Sequence, residues 1–394
     1  MISNMLKTDR HIASDFPVKI VDLHNHVHLK GYMLERTLSK RKFLGKLFRD
    51  SFWPLSQRST IPLLRDNINV TLATTYVLEK EWLNDVPLIK FLSKFSPLFR
   101  KRILNPSPYE ACIGMMDFLE KEISKEVGIK IARNPIELFE NQEKGISSVV
   151  HSVEGGHSLV SSEYSITECL NKLSEKGCAY LTLAHFYNNP LTKSCVFPYP
   201  EPERKTIKNY VSLRRTWDER YGLTELGKRI AKQMLEIGMI IDVSHLTPKG
   251  RQDVYNIVDD YDKDCSVIAS HVGVQALHRL PYNLSDDELK WFAKRKCTVG
   301  VIFMNYWLSP HKPEGSGLHH VESTLNHIIN VAGEEVPAIG TDFDGFTDPP
   351  DEIAYVEDLP WIVRYLEGMG YHNSTINKIM YSNAMRILEN GWKN

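Results

Sequence analysis

The chain has 394 residues, 42% of them hydrophobic, which is ample for a sizeable buried core. Its 48 Lys and Arg nearly balance 49 Asp and Glu, and the formal net charge of -1 excludes a general nucleic-acid or membrane-surface binder. It contains no run of about 18 apolar residues, and neither a signal-peptide core near Met1 nor a hydrophobic anchor signal near Asn394, so a cytoplasmic protein without a membrane anchor is expected.

The chain opens with a β-branched, apolar run at 18–23, followed by a basic stretch at 30–60 that carries Lys30, Arg36, Lys40, Arg41, Lys42, Lys46, Arg49 and Arg58. A second run at 70–77 precedes an aromatic stretch beginning at Trp82. Further runs follow at 147–153, 179–183, 239–243, 266–269, 298–304 and 336–339, with longer helical patterns between them. Leu226, Ile230, Met234, Leu235 and Ile237 lie at amphipathic helical spacing, with Thr224 as cap and Gly238 as terminator. Ser285 followed by Glu288 marks another helix start. Near-continuous apolar runs suit parallel strands buried on both faces, and strands alternating with helices argue for βαβ units. Eight such units close into a (β/α)8 TIM barrel; a doubly wound open sheet is the alternative. The expected organisation is one catalytic domain over 1–394, with insertions near 30–60 and 82–110. Either insertion can be read as a lid over substrate, or as a solvated basic helix and an ordinary packed helix. Six cysteines, Cys112, Cys169, Cys178, Cys195, Cys265 and Cys297, form no C-x-x-C pair and are expected as reduced thiols.

Metal-capable residues gather where the runs end. The first leads into Asp22-Leu23-His24-Asn25-His26, and residues two apart on a strand share a face. The third ends at Glu154-Gly155-Gly156-His157, and the fourth at His185. The fifth leads to Asp242-Val243-Ser244-His245, the sixth to Ser270-His271, and the eighth to Gly340-Thr341-Asp342-Phe343-Asp344-Gly345. Barrel enzymes build their sites from the carboxyl ends of several strands, which open on one face. Imidazoles with carboxylates suit zinc, with manganese, iron or cobalt as alternatives. A carboxylate can bridge two ions that share one water. A structural zinc site would close its shell, usually with Cys, and no Cys flanks these positions.

At these motifs the chain resembles the membrane dipeptidase (renal dipeptidase, peptidase M19) family of the amidohydrolase superfamily. The resemblance runs from about residue 18 to 388. It includes Leu181-Thr182-Leu183-Ala184-His185, Ala269-Ser270-His271 and a tail from Gly370 to Arg386. It implies a zinc-dependent dipeptidase with two Zn2+ ions, other divalent metals being alternatives. Glu154 would bridge the ions, His24 and His26 would hold the first, and His245 and His271 the second. Asp342 would be the acid/base, and His185 would contact the substrate carbonyl. The substrate would be a small peptide or amide, attacked by a metal-activated hydroxide, and the family's dimers imply a homodimer.

Two positions depart from the family pattern. His26 stands where the family usually has Asp, with His28 as a competing ligand. Tyr282 stands where the family has an Arg that pairs with the substrate carboxylate, and a phenol offers no cationic fork. Either Arg279 takes that role from three residues away, or the substrate lacks a free C-terminal carboxylate. The rival readings are an amidohydrolase acting on an N-acyl amino acid, a lactam or cyclic amide, or a phosphoester, and a catalytically silent metal-binding barrel.

Overall fold

The computed structural model describes residues 18–41, 56–85, 87–194, 220–310, 317–345 and 349–393. Among these described residues nine strands occur: β1 Val21–Asn25, β2 Val70–Tyr76, β3 Ile129–Ala132, β4 Ser147–Glu154, β5 Cys178–Thr182, β6 Ile240–Asp242, β7 Val267–Val272, β8 Thr298–Ile302 and β9 Pro337–Gly340. Eight of them pair in parallel in the order β1-β2-β4-β5-β6-β7-β8-β9. At the seam, His26 N donates to Phe343 O at 2.8 Å and Asp342 N donates to His24 O at 2.9 Å. Thr341 reinforces it by donating to the buried Asp22 carboxylate from its amide at 2.9 Å and its hydroxyl at 2.7 Å. The result is a nearly closed barrel of eight parallel strands with helices between them.

The pairing register explains where chemistry is placed. Directly paired residues of neighbouring strands share a face, and alternate residues return to it. One such face carries Leu72 beside Val150, then Thr74 beside Ser152, then Tyr76 beside Glu154. It continues with Glu154 beside Thr182 and Thr182 beside Asp242. On β2 and β4 this face therefore passes from apolar to polar towards the carboxyl end. The apolar end is sealed by the last helix, Asn383–Gly391, and by the fully buried Trp392, which share one cluster with Leu72, Val150, Ile240 and Ile268. The polar end is the mouth.

Local signals set the helices. Glu225–Ile237 starts where Thr224 accepts from the amide of Gly227 and stops at Gly238, whose φ of 71° is the left-handed conformation that favours glycine. Asp286–Lys294 opens with a reciprocal capping box of Ser285 and Glu288.

The ninth strand, β3, is not among the eight expected runs. It has four residues, includes the exposed Lys130, and pairs with Ser147 to Val150. β5 pairs only with the remaining half of β4, His151 to Glu154, so β3 fills the edge left open below it. Residues 42–55 of the basic stretch lie outside the described residues. The stretch returns at Ser56, and its end is tied to the rim, where the Asp344 carboxylate accepts from the amides of Arg58 and Ser59, each at 2.9 Å. The second stretch forms helices Trp82–Asp85, Pro87–Phe95 and Pro97–Phe99, then a π turn at Arg100–Leu104. Phe99 and Ile103 are buried, whereas Phe91 and Phe95 are exposed. The next helix, Pro108–Ile123, ends the irregular region.

The five described cysteines are free and buried, and burial pushes the thiols of Cys112 and Cys297 up to about 12, so they are poor nucleophiles. Cys195 lies outside the described residues. No helix among the described residues is long and apolar enough to cross a membrane.

Candidate metal centre

Seven side chains from six strand ends meet at the mouth. Glu154, the last residue of β4, lies at their centre and is 2% exposed. Its Oε1 is 3.5 Å from His24 Nε2, 3.2 Å from His245 Nε2 and 3.3 Å from His271 Nε2. Its Oε2 is 3.4 Å from His26 Nε2 and 3.6 Å from His185 Nε2. Asp342 Oδ1 approaches His26 Nε2 at 3.3 Å and His24 Nε2 at 4.0 Å. The Nε2 atoms of His24 and His26 are 3.0 Å apart, as are those of His245 and His271.

The hydrogen bonds behind the rings settle which nitrogen carries the proton. His26 Nδ1 lies 2.9 Å from the carbonyl of Thr74, an acceptor only, so Nδ1 holds the hydrogen and Nε2 a lone pair. Ser270 has one hydroxyl proton, which it donates to Asp242 Oδ2 at 2.6 Å. Its oxygen is left to accept from His24 Nδ1 at 3.1 Å and His271 Nδ1 at 2.7 Å; the Tyr180 hydroxyl, which donates to the Leu23 carbonyl at 3.0 Å, also accepts from His24 Nδ1 at 2.9 Å. Asp242 also accepts from Ser244, from Thr182 and from the amide of Ser270, so all its partners are donors. In their neutral forms His24, His26 and His271 therefore turn Nε2 lone pairs towards the same carboxylate. The lone pairs of neutral His24 and His26, facing each other at 3.0 Å in a buried site, repel unless a proton or metal cation lies between them. Ligands of one tetrahedral ion with bonds near 2.1 Å stand about 3.4 Å apart, close to the spacings here. The donor set of five imidazoles and two carboxylates fits divalent ions of the zinc kind.

The electrostatics agree. Burial alone would raise the Glu154 carboxyl, but the imidazoles of His185 and His24 outweigh it and hold it well below the usual range. Burial pushes His24 and His245 down to about 4. Burial also opposes charge on His26, yet its bonds to Asp342 and Glu154 prevail and lift it to about 10. The paired carboxylates thus draw positive charge to this point. Asp342 itself is lowered against burial by His26 and His271.

Backbone strain accompanies the site. His245 and Asp342 adopt left-handed φ values of 64° and 54°, which cost non-glycine residues roughly 1–2 kcal/mol each. Gly345 is required by Asp342: a Cβ there would fall 1.9 Å from Asp342 Oδ1 and 2.7 Å from His26 Cδ2. Gly345→Ala should keep the circular-dichroism spectrum and lower turnover by about 10²-fold, the scale of a 1 Å misplacement of a catalytic group. Ser270→Ala should free the proton position on His24 and His271 and weaken metal affinity about 10- to 100-fold, read by chelator competition.

Not every expected residue joins the cluster. His28 is buried, and its Nε2 meets Thr75 Oγ1 at 2.9 Å, directed to a strand hydroxyl rather than to the shared carboxylate. The Tyr282 hydroxyl donates to the His271 carbonyl, and its ring lies 5.0 Å from that of His245 and 3.8 Å from that of Trp307. It is an aromatic wall beside His245. Arg279 is exposed and is not among the described residues that converge on Glu154. Sequence reasoning missed Glu79, which contacts His185 Nδ1 at 3.2 Å. It sits in a polar Glu79-Lys80-Glu81 run with no motif to mark it. Asp22 and Asp242 were visible in motifs, but their scaffold roles depend on distant partners.

Comparison with known proteins places this architecture. A model of the membrane dipeptidase family (peptidase family M19) matches residues 63–391. A solved structure of dipeptidase AC, a metallopeptidase of family M19, superposes with a TM-score of 0.70 at 21% identity, covering 95% of this chain and 99% of its own. A Rhodobacter sphaeroides metallopeptidase, liganded with a phosphinate mimic of the dipeptide L-Ala-D-Ala, gives 0.71 at 20% identity, with 96% and 100% covered. At those identities the likeness speaks for the fold. An uncharacterized Klebsiella pneumoniae protein of the pqqA 5' region is 32% identical over 174 residues, which span 44% of this chain and 62% of that relative. The family match covers most of the chain, from before β2 to the last helix, and the chain belongs to the membrane dipeptidase family, peptidase family M19.

Proposed function

We propose that this protein is a metal-dependent dipeptidase that hydrolyses a small peptide or amide bond at a pair of divalent ions, zinc by preference. The observation that carries the reading is the convergence of five imidazole Nε2 atoms on the two oxygens of Glu154, all within 3.6 Å. His24 and His26 would hold one ion, His245 and His271 the other, with Glu154 shared between them. When bound, such ions would activate a water and polarise the scissile carbonyl.

The protein's own groups do the rest. Asp342 lies at the mouth with its side chain 11% exposed, the most accessible carboxylate of the cluster. It takes the proton of the attacking water and delivers it to the leaving amine. His185 commits Nδ1 to Glu79 and turns Nε2 into the cavity. Against burial, Glu154 and Glu79 raise its pKa and favour the doubly protonated ring, which can donate to the developing oxyanion. The buried walls exclude water and strengthen these interactions.

A second reading has one specific support. Tyr282 spends its hydroxyl on the His271 carbonyl and Arg279 is exposed, so this wall offers an aromatic surface where a substrate carboxylate would need a cation. That favours a substrate whose far end is uncharged, such as an N-acyl or cyclic amide. A panel of free dipeptides against their C-terminal amides and N-acyl amino acids separates the two. Faster turnover of free dipeptides supports the first reading, and exclusive turnover of the uncharged amides supports the second.

A further inference from the structure

Glu79 follows β2 in the loop entering the second insertion and is 4% exposed, with its carboxylate among protons supplied by four other groups. Oε2 accepts from the Tyr76 hydroxyl at 2.5 Å and from Trp82 Nε1 at 3.0 Å. Oε1 accepts from the amides of Phe186 at 3.1 Å and Tyr187 at 3.3 Å. The two oxygens lie 3.3 and 3.2 Å from His185 Nδ1. With every other partner a donor, the carboxylate can only accept from the imidazole as well, so Nδ1 of His185 carries a hydrogen whatever the state of Nε2. That bond fixes the ring about its last torsion, which is otherwise soft and nearly two-fold. It leaves Nε2 3.6 Å from Glu154 Oε2, on the cavity side.

We infer that Glu79 is a positioning residue: it acts on turnover through His185, by holding the imidazole with Nε2 towards the reacting carbonyl. The inference rests on the role proposed above for His185. The bare alternative is that Glu79 only staples the β2 and β5 loops together through the amides of Phe186 and Tyr187. The two differ in what a change at Glu79 does once His185 is gone.

The test is a double-mutant cycle on the metal-loaded enzyme, with Glu79→Gln, His185→Gln and the pair. Gln keeps the shape of Glu but places an NH2 among groups that all donate. Glu79→Gln is expected to lower kcat about 10- to 100-fold with KM changed less than about 3-fold and metal content unchanged, the scale for groups that orient a working histidine. In the His185→Gln background the same change should have almost no further effect. Glu79→Asp, which keeps the charge, should recover part of kcat. Independently of turnover, 15N spectra of histidine-labelled protein, assigned with His185→Gln, should show His185 Nδ1 protonated in the wild type and a changed Nδ1 signal in Glu79→Gln. Additive losses in the cycle, or a wild-type His185 without a hydrogen on Nδ1, would overturn the inference. Failure of the wild type to turn over any dipeptide or amide counts against the proposed reaction instead, because the spectra read the pairing alone.

Discussion

Glu154→Gln should leave a folded protein that no longer holds its metal. In the wild type both carboxylate oxygens face imidazole nitrogens, three at Oε1 and two at Oε2, between 3.2 and 3.6 Å. An amide supplies one oxygen and one NH2. The NH2 donates to a bare Nε2 and satisfies the metal-free arrangement, while the negative charge that offsets the cations is lost. Both effects favour the empty site. Metal content should fall from nearly full occupancy to a small residue, with turnover down by more than about 10²-fold. Stability gives a second signature, because an ion that binds only the folded state stabilises it by mass action. A chelator should lower the melting temperature of the wild type clearly and that of the variant hardly at all. Full two-ion occupancy in the variant would remove Glu154 from the shared position.

Asp342→Asn should do the reverse, keeping the metal and losing the chemistry. Asp342 reaches the cluster through one oxygen, 3.3 Å from His26 Nε2. Asn preserves the size of the side chain, and the imidazoles with Glu154 remain in place. On the proposed role of Asp342, what Asn would lack is proton transfer, worth about 10²–10⁴-fold when a positioned base is removed. The expected loss in kcat therefore lies in that range, with metal content within the wild-type range. The ligand atoms of Asp342, His24 and His26 also lie within 4.8 Å of one another, close enough to share an ion. Loss of metal in Asp342→Asn would assign it to that ligand role, and near-normal kcat would exclude it as the proton carrier.

The parts of this molecule that were legible from sequence share a cause. Parallel strands buried on both faces must be apolar, so their runs announce themselves, and the helix from Glu225 to Ile237 was delimited by Thr224 and Gly238 because capping is local chemistry. β3 was hidden because four residues with an exposed Lys130 carry no such pattern. The juxtaposition of His24 and His26 was foreseen from the two-residue period, but the physical reason differs. β1 ends at Asn25, with a register shift after Asp22, and His26 is aimed instead by its bond to the Thr74 carbonyl. The hub at Ser270, the ring-holding role of Glu79 and the steric need for Gly345 depend on residues far away in the chain. No local pattern encodes them.

The most direct measurement is elemental analysis of the purified protein combined with a hydrolysis screen of dipeptides and their amides, before and after chelation. The account predicts close to two divalent ions per chain, hydrolysis of at least one of these substrates, and loss of that activity on chelation with recovery when zinc is restored. Protein that binds no divalent ion, or hydrolysis undiminished after the ions are removed, would contradict it.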